Sequence, residues 1–246
     1  MSKRLATLIS SMSTGDHGIA GPALLSMVWR DALFAHWAVP PERIRATLPD
    51  GLSVDTYDGQ AYLGVVPFVM EDISPTGVPF GLSFGELNLR TYVTDETGTP
   101  GVYFYNLDAA DRLGVYLARG LFQLPYYRAE IDVSRDGQAV NFRSRRVGDG
   151  APAAFDATYE PVGPRLDADP GSRPHFLTER YRFYTDGRGE LFYGDIEHPS
   201  WPLTEAEGEL RENDLFRVNG FEEPDAEPFF YYAPRTSVTA GRIHRV

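Results

Sequence analysis

Along most of the chain, short apolar or alternating blocks are separated by turn-forming residues, a rhythm that predicts strands joined by hairpins. WRDALFAHW, residues 29–37, is rich in aromatic and apolar residues and predicts a strand. Pro40-Pro41 then starts a short helix with Ile44 and Leu48 on one face; proline suits a first turn, where its missing N–H has no intrahelical partner. Three turn signals follow. Asp58-Gly59 separates LSVDTY from QAYLGVVPFVM, Thr97 to Gly101 separates LNLRTYV from VYFYNL, and Asp136-Gly137 separates RAEIDVS from AVNFRSR. A fourth hairpin joins ERYRFYT to ELFYGDI around Asp186 to Gly189, unless its first arm is helical.

Two segments carry helical spacing. Asp108 is placed to cap residues 109–123, where Leu113, Leu117 and Leu121 recur every four residues before Pro125 ends the run. Residues 204–214, TEAEGELREND, predict a shorter acidic helix. Many hairpins and few helices imply an α+β domain on a mainly antiparallel sheet, curled or closed into a barrel. Residues 1–22 read as a polar N-terminal tail and 23–246 as a single domain. The Gly/Pro-rich stretch 161–174 reads as a long loop and the one candidate boundary; no internal repeat or low-complexity run interrupts the pattern.

Composition narrows the function classes. The 246 residues suffice for one sizeable core. The formal charge is −12, and the basic residues are 22 arginines and one lysine, Lys3. Such a surface repels phosphate backbones and anionic lipid, so neither nucleic acid nor membrane is an expected partner. Acidic excess with one lysine suits concentrated salt, or simply a GC-rich genome. No apolar run approaches the ~18 residues of a membrane span, and Leu5 to Ile9 is too short for a signal-peptide core, which predicts a cytoplasmic protein. The chain has no cysteine, so disulfides, thiolate metal sites and cysteine nucleophiles are excluded.

Three constellations offer chemistry. GLSFG, residues 81–85, fits the Gly-x-Ser-x-Gly pattern that would make Ser83 a hydrolase nucleophile. That motif needs a helix after the serine, whereas ELNLRTYV alternates like a strand. His175 and Glu179 stand four apart, an acceptable metal-ligand spacing, but nothing in the pattern selects a third ligand from His36 or His198, and no metal or cofactor is expected. In ELNLRTY, alternation puts Glu86, Asn88, Arg90 and Tyr92 on one face of a strand. On an open sheet that face would meet solvent; in a barrel it would form a polar interior wall.

LFAHWAVPPERIRATLPDGLSVD, VVPF, FGELNLRTYV, ARGLFQLPYYRAEI, HFLTERY and HPSWPL together resemble the DUF2071, or YqjF-like, family. That family looks like a distant branch of the acetoacetate decarboxylase-like superfamily. PPERIRATLPDGLSVD is similar to the short helix and following strand of the decarboxylases. Phe84-Gly85-Glu86 lies where they carry an active-site glutamate, and Arg30 where they carry an arginine. ARGLFQLPYY is similar to their helix ending in Tyr-Pro-Lys-Lys, so Tyr126 falls on the Schiff-base lysine and Tyr127 on the next. A phenol cannot form an imine, and Lys3 lies in the tail. QAYLGVVPFVM also lacks the family's other carboxylate before Glu71. Lysine-dependent decarboxylation is therefore expected to be absent.

What the resemblance implies instead is a pocket for a small oxo- or hydroxy-carboxylate. Arg30 would anchor the carboxylate, Glu86 would move a proton, Tyr126 would stabilise an oxyanion, and Asn88 and Arg90 would assist. Adjacent strand residues face opposite ways, so one of Tyr126 and Tyr127 points inward; family position favours Tyr126. The alternatives are a non-catalytic small-molecule binding protein and, below it, a serine hydrolase using Ser83. The scaffold also implies a homo-oligomer.

Overall fold

Among the described residues, the alternating blocks become twelve strands in one hydrogen-bonded sheet. The computed structural model describes residues 19, 21–111, 123–148, 150–187 and 189–246. In chain order the strands are β1 (Leu25–Val39), β2 (Leu52–Val54), β3 (Ala61–Pro75), β4 (Leu82–Asp95), β5 (Pro100–Ala109) and β6 (Tyr126–Asp136), then β7 (Ala139–Arg146), β8 (Ala154–Arg165), β9 (Arg182–Gly187), β10 (Glu190–Glu197), β11 (Thr204–Asn213) and β12 (Phe229–Arg245). The described helices are short: α1 (Pro41–Arg45), α2 (Arg173–Thr178) and α3 (Leu215–Val218). Strand pairs are antiparallel except β5 with β6 and β5 with β9.

The sheet closes on itself twice. Strands β12, β1, β3, β4 and β5 form a shared wall, and each end of that wall forks. On one branch β5 pairs with β9, β9 with β10, and β10 with β12, closing a first barrel. On the other branch β5 leads through β6, β7, β8 and β11 back to β12, closing a second. Both faces of the wall are therefore interior faces. Closure also removes the exposed edges that an open sheet must protect.

Side-chain alternation sorts the wall into two cores. Trp29, Phe34, Phe68, Tyr92 and Tyr126 belong to the cluster inside the first barrel, with Phe104, Phe183 and Trp201. Leu33, Leu63, Leu87 and Leu89 belong to the other, with Phe142, Phe155 and Tyr159. In β1, Asp31 has a positive φ of 55° at a register shift. This bulge inserts one residue, so Trp29 and Ala32 both face the first barrel although three positions apart.

The strand at 29–37, the proline-led helix and the turns at 97–101, 136–137 and 186–189 form as expected. Ile44 of α1 is fully buried in the second core. Other expectations are corrected. Residues 204–213 are strand β11, not a helix. Thr204 bonds in register to β12, and the strand runs along β8. Ala206 and Leu210, whose spacing also suits a helix, reach the second core as alternate strand residues. Gly208 was the warning against a helix: a Cβ there would lie 2.5 Å from the Thr158 carbonyl oxygen across the β8–β11 ladder.

The Asp58-Gly59 turn exists, with φ of 51° and 75°, but closes only a Tyr57–Gln60 bridge. Its expected arm β2 pairs with β4, not β3. Residues 161–165, expected as loop, extend β8 along β11. Asp108 does not cap a helix; it lies in β5 and its carboxylate takes a two-pronged contact from Arg146, at 2.9 and 3.2 Å. The leucines of that expected helix fall within 112–122, outside the described residues, as do residues 1–18 of the expected tail.

Candidate functional site

Strand β4 carries the candidate site because its alternate residues point into the first barrel. Glu86, Asn88, Arg90 and Tyr92 are all buried there, at 3, 1, 5 and 0% exposure. Their neighbours are set by register: Phe68 and Ala109 flank Glu86, Val66 and Leu107 flank Asn88, and Leu107 also pairs with Tyr126 at the start of β6. Tyr126 thus enters the first barrel one strand beyond β5 and donates its hydroxyl to Glu86 Oε2 at 2.9 Å. Tyr127 faces the other way, its ring under the Arg146 guanidinium at 4.0 Å.

Burial dominates the electrostatics. Desolvation pushes the Glu86 carboxyl up to about 8, against the opposing pull of the Tyr126 hydrogen bond. Burial, reinforced by adjacent Glu86, holds the Tyr126 hydroxyl well above its usual range. At neutral pH both groups therefore carry protons.

Four residues along, Arg90 is a buried cation with a different supply of partners. Its NH2 donates to the Leu177 carbonyl at 3.3 Å, and its guanidinium lies 5.4 Å from the Phe34 ring and 5.8 Å from Tyr92. Among the described residues no carboxylate pairs with it, and its Nε has no hydrogen-bond partner. Tyr92 donates to the same Leu177 carbonyl at 2.9 Å, so His36 Nε2, 2.6 Å from the Tyr92 oxygen, must be the donor of that pair. Desolvation, then Arg90, depresses the His36 pKa well below its ordinary value, leaving the ring neutral. Gly64 makes this packing possible: a Cβ there would already touch His36 and Tyr92 at 3.3 Å.

An aromatic chain connects the two ends. Phe68, beside Glu86, stacks on Trp29 at 4.4 Å; Trp29 meets Trp201 at 5.6 Å; Trp201 meets Phe34 edge-on at 5.1 Å; and Phe34 lies under Arg90. Among the described residues, the buried indole N–H groups of Trp29 and Trp201 and the Asn88 Oδ1 have no hydrogen-bond partner. Unsatisfied buried polar atoms each cost about 1–3 kcal/mol, which makes these three candidates for contact with a ligand or an ordered water.

The structure does not bring Arg30 to this group. Register aligns Arg30 with Val69 and Gly85, one residue out of step with Phe68 and Glu86, so Arg30 lies on the opposite face of the wall. There its Nε donates to Glu71 and its NH1 to Asp31. Ser83 is an exposed residue of β4 with no helix after it, and its Oγ accepts from the Asp72 N–H at 3.1 Å, so the nucleophile elbow is not formed. Glu179 follows α2 and accepts from Tyr181 and the Trp201 N–H. Among the described residues no three His, Asp or Glu side chains converge as a metal site. Sequence reasoning missed Trp29, Phe34, Phe68, Trp201 and the Leu177 carbonyl. Leu177 is 87 residues from Arg90, and no local pattern signals that contact.

Residues 26–237 match the family DUF2071, described as an uncharacterized conserved protein. The chain belongs to that family. It is 40% identical over 218 residues to the uncharacterized protein YqjF of Bacillus subtilis (strain 168), covering 87% of this chain and 89% of that one. Among solved structures it is similar to acetoacetate decarboxylase from Legionella pneumophila, with TM-score 0.67, 13% identity, and 96% and 92% of the two chains covered. The enduracididine biosynthesis enzyme MppR, complexed with pyruvate, gives TM-score 0.67 at 14% identity over 95% and 94%. An acetoacetate decarboxylase-like enzyme from Sphingomonas wittichii RW1 gives 0.62 at 15% over 92% and 94%. At these identities the likeness establishes an acetoacetate decarboxylase-like fold. No described helix is long and apolar enough to cross a membrane.

Proposed function

We propose that the protein is an enzyme acting on a small oxo- or hydroxy-carboxylate by acid–base chemistry, without a Schiff-base lysine. The buried Tyr126–Glu86 hydrogen bond of 2.9 Å carries this reading. Tyr126 stands where the resemblance places the nucleophilic lysine of the decarboxylases, and the chain's one lysine is Lys3. An electron sink made of an iminium is thus replaced by proton donors. A Glu86 carboxyl titrating near pH 8 is matched to proton transfer at cellular pH, holding a proton yet losing it readily. Its carboxylate form would take a proton from the carbon next to a ligand carbonyl while a hydroxyl of Tyr126 steadies the enolate oxygen; the proton then returns to carbon or passes to oxygen.

Arg90, not Arg30, is the group suited to the ligand's carboxylate, being buried and lacking an anionic partner among the described residues. The pyruvate complex of MppR, a protein of similar fold, agrees with an oxo-acid ligand class.

The test is hydrogen–deuterium exchange next to the carbonyl of 2-, 4- and 6-oxo acids in D2O, followed by NMR. Wild type is expected to accelerate exchange on at least one acid. Glu86→Gln should slow it by roughly 10²- to 10⁴-fold, the usual contribution of a positioned acid–base group. Equal exchange by Glu86→Gln refutes the chemistry. Binding of an acid without exchange would instead support a non-catalytic binding protein, the reading that the missing lysine favours.

A further inference from the structure

The functional groups on β4 are spread along the strand. Glu86, Asn88 and Arg90 are successive inward residues, so the Cα atoms of Glu86 and Arg90 are about 13 Å apart at roughly 3.3 Å per residue. The Arg90 head does not fold back to close this gap. Its NH2 is held by the Leu177 carbonyl at the end of α2, where Tyr92, two residues further from Glu86, also donates. No ion pair joins Arg90 to Glu86, and Glu86 instead bonds Tyr126. Between them lies Asn88, 99% buried, its Oδ1 without a hydrogen-bond partner among the described residues, and behind them the Trp29–Trp201–Phe34 aromatic wall.

From this spacing we infer that the ligand is an elongated carboxylate, its anionic end on Arg90, a polar group beside Asn88, and its reacting carbon several bonds away at Glu86 and Tyr126. Side chains that stand off one strand face roughly in parallel keep about their Cα spacing at their heads, so about 3 Å of hydrogen-bond reach at each end leaves roughly 7 Å, or about five to six carbon–carbon bonds between carboxylate and reacting carbonyl. An α-oxo acid, with carboxylate and carbonyl adjacent, cannot occupy both ends. The apolar aromatic wall suits the methylene chain between them. The identity of the Glu86 end as reactive rests on the proposed function; the Arg90 end and the length requirement do not.

The decisive measurement compares ligand-induced stabilisation by pyruvate, 4-oxopentanoate, 6-oxoheptanoate and 8-oxononanoate at constant ionic strength, for wild type, Arg90→Gln, Arg90→Lys and Glu86→Gln. Folding of each variant is checked first by circular dichroism and its unliganded melt. Wild type should bind 6-oxoheptanoate at least tenfold more tightly than pyruvate, with affinity falling again at 8-oxononanoate, and its methyl ester should bind at least tenfold more weakly than the acid. Arg90→Gln should erase both preferences and Arg90→Lys should keep a weakened length preference, while Glu86→Gln should weaken binding of 6-oxoheptanoate yet keep the penalty for its ester. Absent binding, an affinity independent of chain length, or a folded Arg90→Gln with the wild-type preference overturns the inference. Length-selective binding without deuterium exchange would uphold it and refute the acid–base chemistry. Exchange on pyruvate that Arg90→Gln leaves unchanged would do the reverse.

Discussion

The two faces of the shared wall both bury charge, and they treat it in opposite ways. On the second-barrel face, Asp31 is 1% exposed and saturated: it is paired with Arg30 and Arg135, and accepts from Tyr232 at 2.7 Å, while its carbonyl accepts from Tyr159 at 2.7 Å. Glu71 continues the knot. Burial alone would raise its pKa, but Arg30 and Arg235 bring it below the ordinary value. On the first-barrel face Glu86 has a phenol for a partner, and Arg90 a backbone carbonyl and aromatic rings. Paired charges of the first kind hold strands together. Charges left without counter-ions cost stability, and the proposed ligand site rests on them. Arg30 has the residue type that a carboxylate anchor needs, but the wrong face and a full complement of partners.

This contrast can be broken, beginning with its largest consequence. Asp31→Ala removes the carboxylate shared by Arg30, Arg135 and Tyr232, although Arg30 keeps Glu71 and Arg135 keeps the Tyr232 hydroxyl. The variant should cost about 1.5–3 kcal/mol in urea denaturation. Its binding of an oxo acid, normalised to folded protein, should be unchanged. A loss under about 1 kcal/mol would show that the knot is not structural.

Next in size is the pH dependence of Glu86. Its folded pKa lies above the ordinary 4.5, at about 8, so the folded state holds this proton more tightly than the unfolded chain. That contribution to stability is complete below about 4.5 and is lost as pH rises through about 8. Glu86→Gln should therefore flatten the decline in melting temperature across this interval and be the more stable protein at pH 9. A variant whose pH profile superimposes on wild type would contradict the desolvated carboxyl.

Tyr126→Phe should cost about 1 kcal/mol for the lost hydrogen bond. Because that bond lowers the Glu86 pKa, the variant should also move the Glu86 titration upward, readable by NMR of the side-chain carboxyl. A downward move would reverse the assigned roles. The smallest effect belongs to Arg90→Met, which removes an unpaired buried cation and should change stability by no more than about 1 kcal/mol in either direction. A loss of 3 kcal/mol or more would make Arg90 structural and erase the difference between the two faces.

Much of the architecture was legible because alternation is a local signal. The run from Glu86 to Tyr92 identified one face of a strand, and the Asp136-Gly137 and Thr97–Gly101 turns identified their hairpins. Where local signals pointed two ways, tertiary pairing decided. TEAEGELREND has helix-forming side chains, yet lies between β8 and β12, where ladder hydrogen bonds and the burial of Ala206 and Leu210 outweigh propensity. Asp58-Gly59 is a good hairpin turn, but β2 found a longer-range partner in β4. The shared buried face of Glu86, Asn88, Arg90 and Tyr92 was legible in the alternation of β4, and the inward turn of Tyr126 in the alternation after Pro125. The place of Arg30 was not legible, since its distance from Glu86 is set by a register that no short stretch encodes.

By itself, then, the order of residues determined which positions alternate, where the turns fall, that no cysteine is present and that the sole lysine is Lys3. These follow from side-chain identity and near-neighbour geometry. Only the tertiary structure decided that both faces of the wall are interior, that Tyr126 reaches Glu86 while Tyr127 meets Arg146, and that Arg30 is consumed by Asp31 and Glu71 as Arg90 stays without a carboxylate partner among the described residues. The reason is that burial and pairing depend on sheet closure and strand register. Both arise from contacts between residues far apart in the chain, and a one-residue step in register moves a side chain from one barrel to the other.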